Sequence, residues 1–254
     1  MRKILFLLFA MFSYTPSQAQ YFIRIGSGYN LDLGGAYLGD SHYYFYGNKG
    51  TQEAIYGSYG SGFHFDCAID TKINDNLLAE IGFSYLKGRN HDIVTKYGGE
   101  YPSEHVKQLS SRVFSLTPAL IITAQLGALK PYSRFGVTIS LPKQLEEEHT
   151  QWISMGTIRP HSSIQTDWGG VALGFSGSLG VMVPVGAISI YGEVCATSME
   201  WRPTNWKSEI DGITKEGDYQ SIRDIRPDEY ITLPMTPSHP FGSLGLNVGV
   251  LLSL

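Results

Sequence analysis

The last fourteen residues of the chain, 241–254, alternate between two kinds of side chain up to the final carboxylate. Leu or Val occupies every even position from Leu244 to Leu254, whereas most of the positions between them carry Gly, Ser or Asn. Residues two apart in a β-strand share a face. The pattern therefore predicts a strand with one face for hydrocarbon and one for water or a polar interior, as in the strands of transmembrane β-barrels.

The N-terminus carries an export signal. Arg2 and Lys3 precede an apolar run at 4–12, and Ser17-Gln18-Ala19 supplies small residues for signal peptidase. The run is much shorter than the roughly 20 residues that a membrane-spanning helix needs. We expect residues 1–19 to be a cleaved signal peptide and 20–254 to form a single barrel domain.

Seven further segments show the same alternation, with aliphatic and aromatic residues on one face and Gly, Ser and scattered charges on the other. The eight predicted strands are 21–33, 55–71, 77–87, 109–123, 132–141, 170–183, 188–201 and 241–254. Their connections alternate in length: those around Asp75, Gly127 and Val185 are short, and those around Tyr44, Tyr97, Glu147 and Asp218 are long. The sequence predicts an all-β fold, an eight-stranded antiparallel transmembrane β-barrel with short periplasmic turns and long extracellular loops.

The second and fourth predicted strands each have an unusual feature. In the second, alternation places Tyr59 on the outer face. In the fourth, the phase is unclear around 112–115, and Pro118 lacks the N–H that a central ladder uses. A β-bulge near Pro118 would account for both features of the fourth strand.

A lipocalin-like barrel or a β-sandwich is the soluble alternative, because those folds also alternate. They bury the aliphatic face, which here would leave an exterior rich in Gly and Ser. The formal charge of −4 gives no basic stripe for nucleic acid. Alternation puts Cys67 outside and Cys195 inside the wall, so no disulfide is expected between them.

Charged residues on the inner faces fall at similar depths when counted from the short turns, and we expect them to meet inside the barrel. This polar cluster comprises Arg24, Asp66, Glu80, Arg134 and Glu193, with His64 one step further from the turns. The lumen of an eight-stranded barrel is just wide enough for side chains to fill it. The cluster is interpreted as an ion-pair plug; the alternative is the gate of a narrow pore.

The chain resembles the small OmpA-like outer-membrane barrels, particularly the single-domain versions of Bacteroidetes. The likeness covers 20–254 and rests on the signal peptide, the strand pattern, Lys130-Pro131-Tyr132, the inward Glu193 and the Gly-Leu-Asn-Val-Gly-Val run at 245–250. It implies the cell outer membrane, with lipid and lipopolysaccharide as surroundings. Many such barrels end in an aromatic residue, whereas this chain ends in Leu254. The resemblance does not extend to the peptidoglycan-binding domain of longer members, so we do not expect tethering to the cell wall.

An enzyme that modifies lipopolysaccharide acyl chains is a further alternative, because such barrels use Ser, His and an acid near the outer leaflet. The candidates are His161, Ser162, Ser163 and Asp167. The segment 159–163 is interpreted instead as an ordinary polar loop, since no nucleophile-elbow motif is present. No metal or cofactor is predicted: His91, His105 and His149 lie in long loops without metal-ligand spacing.

The long loops are the best place to look for recognition, because loops on a rigid scaffold commonly bind partners. Their candidate partner-binding residues are aromatic: Tyr43, Tyr44, Phe45, Tyr46, Trp206, Tyr219 and Tyr230. These side chains could instead cover one another as a lid over the barrel mouth. The sequence predicts a non-enzymatic structural protein or accessory subunit of an envelope assembly.

Overall fold

A computed structural model describes residues 20–33, 36–45, 48–97, 103–154, 157–210, 212–219 and 237–254. The signal peptide predicted at 1–19 lies outside these ranges. The described residues form fifteen strands: β1 Tyr21–Asp32, β2 Ala36–Phe45, β3 Asn48–Gly57, β4 Gly62–Asn74, β5 Leu77–Gly88, β6 His91–Tyr97, β7 Ser103–Thr123, β8 Lys130–Ser154, β9 Thr157–Trp168, β10 Ala172–Val185, β11 Ile188–Trp201, β12 Asn205–Ile210, β13 Ile213–Asp218, β14 His239–Pro240 and β15 Ser243–Ser253. The prediction of an all-β fold is confirmed.

Among the described strands, eight pair in a closed ring. The antiparallel pairings run β1, β4, β5, β7, β8, β10, β11 and β15, and β15 pairs with β1 to complete the circuit. Closure leaves no open strand edge in this part of the sheet, so every ring strand has a neighbour on both sides.

One end of the ring carries the short turns, the start of β1 and the end of β15; we call it the turn end. The turns contain Asp75, Gly127 and Gly186, and both glycines adopt positive φ angles, 62° and 68°. The amide N–H of Leu254 donates to the carbonyl of Tyr21 at 3.0 Å, which places the C-terminus beside the first strand. The short connections therefore lie where the sequence predicts them.

The opposite end bears the other seven described strands. These seven strands, together with the halves of β7 and β8 furthest from the turn end, are called the extension. From β8 the sheet continues through β9, β12 and β13; from β7 it continues through β6, β2 and β3. The short strand β14 pairs with the upper end of β11. The described parts of the predicted long loops are thus largely β-structure, and the predicted count of eight strands falls short of the fifteen that the structure describes in the sheet. The cause is that the extension pairs by backbone hydrogen bonds, which need no two-residue alternation of apolar side chains.

The second predicted strand, 55–71, is wrong as a single element. It is divided between β3 and β4 by the non-strand residues 58–61, and Tyr59 is 6% exposed inside the barrel mouth. The bulge predicted in the fourth strand is also wrong. Pairing of β7 with β8 is interrupted at Thr117 and Pro118 and resumes at Ala119 in the same register. A lost ladder bond at proline therefore does not require an extra residue.

Large apolar side chains cover the outer wall of the ring, as the alternation predicts. Phe175 is 72% exposed, Leu246 63% and Ile25 50%, and the neighbouring outward positions of the other ring strands are similar. The inner wall carries the buried residues. Among the described residues, no helix has the length and apolarity that crossing a bilayer would require.

Candidate functional site in the lumen

A layer of ion pairs lies across the lumen near the turn end. Arg134 contacts two carboxylates, with Nη1 at 3.1 Å from Glu80 Oε1 and Nη2 at 2.7 Å from Glu193 Oε1. Arg24 reaches the same two residues, with Nε at 3.4 Å from Glu80 Oε2 and Nη1 at 3.9 Å from Glu193 Oε2. Four of the six predicted cluster residues therefore form one network, which we call the ion-pair layer.

The sequence reasoning missed Asp70, whose Oδ2 lies 3.3 Å from Arg24 Nη2 and whose side chain is fully buried. Asp70 pairs directly with Glu80 in the β4–β5 register. The signal was available, because continuing the alternation of the second predicted strand by two residues beyond Ala68 puts Asp70 on the inner face.

Polar neighbours that the sequence reasoning did not select complete the layer. Glu193 accepts hydrogen bonds from Tyr132 Oη at 2.8 Å, Ser178 Oγ at 2.7 Å and Asn247 Nδ2 at 3.0 Å. The Arg24 guanidinium carbon lies 5.4 Å from the ring centre of Tyr132 and 5.1 Å from that of Tyr191, within cation–π range. Buried ion pairs need such hydrogen bonds to offset the loss of hydration.

His64 and Asp66 lie above this layer rather than within it. His64 Nε2 is 3.7 Å from Asp66 Oδ1, and Tyr191 Oη donates to Asp66 Oδ2 at 3.2 Å. The prediction that Asp66 shares the depth of Glu80 is wrong. Because Asp70 is the residue opposite Glu80, Asp66 lies four residues further from the turn end on β4.

Apolar clusters lie on both sides of the polar part of the lumen. At the turn end, the cluster contains Leu78, Ile121, Tyr132, Met182, Tyr191 and Leu251. At the other end it contains Tyr59, Ile93, Leu109, Val113, Ala172, Trp201 and Phe241, and we call this the mouth cluster.

Two chain segments meet across the mouth. The backbone N–H of Tyr59 donates to the Pro240 carbonyl at 3.0 Å, and Ser111 Oγ donates to the Tyr59 carbonyl at 2.6 Å. A cavity of about 120 Å³ remains between the mouth cluster and the ion-pair layer. Its walls include His64, Asp66, Arg134, Cys195 and Asn247.

The extension holds a second buried polar group centred on Asp167, which is 4% exposed. Its Oδ1 accepts hydrogen bonds from Tyr219 Oη at 2.9 Å and Gln165 Nε2 at 3.2 Å. Its Oδ2 lies 3.7 Å from Nε2 of His239, a residue that the sequence reasoning missed. Burial, and next the Asp167 carboxylate, raise the pKa of the Tyr219 phenol above its ordinary value.

The backbone of all four predicted enzyme residues belongs to β9. His161, Ser162 and Ser163 lie on β9, paired with Thr150, His149 and Glu148 of β8, so the interpretation of 159–163 as a loop is wrong. Asp167 contacts His239. The described residues contain no group of three His, Cys, Asp or Glu side chains suited to a metal ion. His91 and His105 lie on β6 and β7, and the backbone of His149 on β8, rather than in loops.

The predicted partner-binding aromatic residues lie in different parts of the chain. The backbone of Tyr43, Tyr44 and Phe45 belongs to β2, and Trp206 is half-buried on β12 against Gly217 of β13. Tyr219 is half-buried and bonded to Asp167, so its hydroxyl is already used within the protein. Tyr46 and Tyr230 lie outside the described residues.

The two cysteines lie on opposite faces of the wall. Cys67 is exposed on the outside, and Cys195 is half-buried and lines the cavity. Both are free thiols.

Comparison with known proteins gives no family. No family model matches the chain, and no curated protein matches it. Among solved structures, the chain is similar to a major outer membrane protein from Thermus thermophilus, with 11% identity, a TM-score of 0.45, and coverage of 93% of this chain and 99% of that one. It is also similar to a deletion mutant of TodX, a monoaromatic hydrocarbon channel, with 8% identity, a TM-score of 0.18, and coverage of 96% and 91%. At these values the similarities identify neither the family nor the function of the chain.

Proposed function

We propose that the protein is an outer-membrane β-barrel whose ring spans the bilayer, with the turn end in the periplasm and the extension outside the cell. The observation that carries the proposal is the belt of large apolar side chains on the ring's outer wall, where several exceed 60% exposure. A soluble protein rarely exposes a contiguous apolar surface beyond a few hundred Å². The hydrocarbon of a lipid bilayer is the environment that suits such a belt.

The dimensions of the ring fit the same role. The part of β8 that pairs with β10 runs from Lys130 to Ser140, and the part of β15 that pairs with β1 runs from Ser243 to Ser253. Both are eleven residues long by these registers, and a tilted strand needs about 9–11 residues to cross a membrane. The polar side chains meanwhile face inward, as membrane barrels require.

Topology is tested by labelling intact cells with a membrane-impermeant maleimide in a background where Cys67 and Cys195 are Ser. We expect Ile213→Cys, at the start of β13 beside the β12–β13 turn, to be labelled in intact cells. Asn76→Cys in the β4–β5 turn should be labelled only after the outer membrane is broken. Labelling of both sites in intact cells, or of neither, would contradict the proposed orientation.

Within the membrane, the protein is proposed to act as a non-enzymatic structural protein or an accessory subunit that binds a protein partner through its extension. The support is the extension itself, which adds two sheet wings ending in β3 and β13 to a ring that is already closed. Backbone at a strand edge can pair with another chain. Lipid and lipopolysaccharide would surround the ring.

The partner is sought by placing an affinity tag beside Asp218, extracting membranes in mild detergent and identifying what co-purifies. A protein recovered in fixed stoichiometry, and lost when the β12–β13 hairpin is replaced by a short linker, supports the accessory role. Recovery of only the tagged chain would contradict it. The matched control is the tagged protein with its hairpin intact, purified from cells that lack the identified partner.

The narrow pore is the weaker candidate, because the ion-pair layer and two apolar clusters lie across the lumen. Planar bilayer recordings distinguish the two functions. Conductance that is absent in the unaltered protein and in Arg134→Gln would support the structural role. Conductance that rises in Arg134→Gln would favour a gate at this layer.

A further inference from the structure

Three cations lie side by side on the outer wall of the ring, at the end nearest the extension. Lys87 of β5 pairs in register with Arg112 of β7, and Arg112 pairs with Lys143 of β8. All three residues are exposed, and a buried residue follows each of them in its strand. Residues directly opposite in a sheet share a face, so the three charges form one line, which we call the basic row. Neighbouring strands are about 4.8 Å apart, which makes the row about 10 Å long.

The basic row has no acidic partner within the part of the chain that the structure describes. No salt bridge there involves Lys87, Arg112 or Lys143. The positions two residues before and after each of them carry no Asp or Glu. Three neighbouring cations without an anion repel one another, so the row is suited to an anion from outside the chain.

The height of the row matches the boundary between lipid hydrocarbon and lipid headgroups. On β5, the outward positions carry apolar side chains from Leu77 to Tyr85, and Lys87 comes next. The ten residue steps from Leu77 to Lys87 correspond to about 33 Å along a strand. At the tilt usual in membrane barrels this is about 25 Å of height, which is the height of their outward apolar band. The cations therefore begin where the apolar band ends.

An apolar surface lies next to the row on the side of the turn end. Tyr85, Phe114 and Leu141 are cross-strand neighbours two residues from Lys87, Arg112 and Lys143. Phe114 is 62% exposed and Leu141 60%, and the ring centres of Tyr85 and Phe114 are 4.7 Å apart. A line of cations above an exposed apolar surface complements an amphiphile that carries its negative charge above its hydrocarbon chains.

We propose that the basic row binds a phosphate group of lipopolysaccharide, with an acyl chain of the same molecule against Tyr85 and Phe114. An arginine can donate two parallel hydrogen bonds to one phosphate, and lysines bind phosphate as point charges. This inference rests on the proposed function, because the row meets the outer leaflet only if the extension lies outside the cell. It adds a defined lipid-binding site to a ring that lipopolysaccharide would otherwise only surround.

Lipid A, the phosphorylated lipid anchor of lipopolysaccharide, is the probe, and lipid A treated with phosphatase is its dephosphorylated counterpart. Binding of each lipid to the folded protein in non-ionic detergent is measured by native mass spectrometry. We expect Lys87→Gln/Arg112→Gln/Lys143→Gln to bind lipid A about 100-fold more weakly, because each cation near an anionic lipid contributes about fivefold. The unaltered protein should bind the dephosphorylated lipid about as weakly as this variant binds lipid A.

The matched control is Arg202→Gln/Lys207→Gln/Lys215→Gln, which removes three positive charges outside the row and should keep the affinity for lipid A. Lys87→Arg/Lys143→Arg retains the charge of the row and should also keep it. Circular dichroism reports whether each variant has folded. Equal affinity of the unaltered protein for the two lipids would overturn the proposal. An equal loss of affinity in the row variant and the control would do the same, because binding would then depend on total charge.

Failure of this inference is distinguishable from failure of the proposed function. Maleimide labelling with the expected orientation, but without phosphate-dependent binding, would reject the lipid site alone. Labelling of only Asn76→Cys in intact cells would reject the proposed orientation. It would also reject the site with it, since the row would then face the periplasm.

Discussion

At the scale of single residues, Arg134 is the centre of the ion-pair layer. It contacts Glu80 and Glu193, and its Nε donates to Ser178 Oγ at 3.1 Å. A buried ion pair is weak evidence for stability by itself, but removal of one partner leaves charges without compensation. Loss of Arg134 should therefore affect the protein much more than loss of a surface arginine.

We expect Arg134→Met to lower the free energy of unfolding by about 3–5 kcal/mol, since two buried carboxylates lose a cation. The measurement is reversible urea unfolding in detergent or lipid vesicles. The control is Arg202→Met: this side chain is 70% exposed and paired with Glu200, and such surface pairs contribute about 0–1 kcal/mol. Equal effects of the two substitutions would show that the layer is not the stabilising network that its contacts indicate.

Tyr219 gives a prediction about pH. Burial and Asp167 raise the pKa of its phenol in the folded protein above the unfolded value of 10.0. The neutral phenol thus contributes stability that is fully present below about pH 10 and is lost as pH rises through the folded pKa. The absorbance change of tyrosinate, taken as unaltered protein minus Tyr219→Phe, should show an ionisation well above the ordinary phenol pKa of about 10. An ionisation of this residue at or below its ordinary pKa would mean that its bond to Asp167 does not form.

At the scale of elements, glycines in the ring allow neighbouring strands and side chains to come close. A Cβ on Gly28 of β1 would collide with the Leu246 carbonyl oxygen and lie 2.6 Å from His64 Cε1 and 2.9 Å from Asn247 Cα. A Cβ on Gly192 of β11 would meet no atom within 4 Å. The two glycines therefore have different roles although both lie in ring strands.

We expect Gly28→Ala to destabilise the folded protein by about 1–3 kcal/mol, the usual effect of overpacking, because the backbone of β15 would have to shift. Gly192→Ala should be neutral or slightly stabilising, since Ala is easier to order than Gly. Urea unfolding of both variants is the measurement. If Gly28→Ala behaves like Gly192→Ala, the close approach of β1 to β15 in this register is wrong.

At the scale of the whole molecule, the proposed function places the apolar belt in lipid and the extension in water. Val248 lies at the middle of β15 and is 61% exposed on the belt, and Ile213 lies on β13 in the extension and is 65% exposed. Although the two side chains are similarly exposed, Val248 would contact lipid and Ile213 would contact water.

For protein in phospholipid vesicles, we expect Val248→Arg to cost about 2–4 kcal/mol of unfolding free energy, as Arg does at the bilayer midplane of a membrane barrel. Ile213→Arg should change it by no more than about 0.5 kcal/mol, as for an ordinary surface substitution. The vesicle assay compares the two directly. A small effect at both positions would contradict a lipid-facing belt.

Part of the lumen could be predicted from the sequence because alternation assigns each residue to a face. It assigns Glu80, Arg134 and Glu193 inward, and they meet as expected. The depth of a residue is different, since it depends on the register between strands. Counting from the turns therefore gives Asp66 the wrong depth and overlooks Asp70, which lies further along the same inner face of β4.

The sequence by itself determined the two-faced strands, the positions of the short turns and the inward face of the charged residues, because these follow from side-chain period and turn chemistry. Only the tertiary structure decided that Tyr59 faces the mouth, that Asp70 joins Arg24, and that the long connections extend the sheet through β9, β12 and β13. The physical reason is that these features depend on hydrogen bonds and contacts between segments far apart in the chain. A local alternation of side chains carries no information about such pairings.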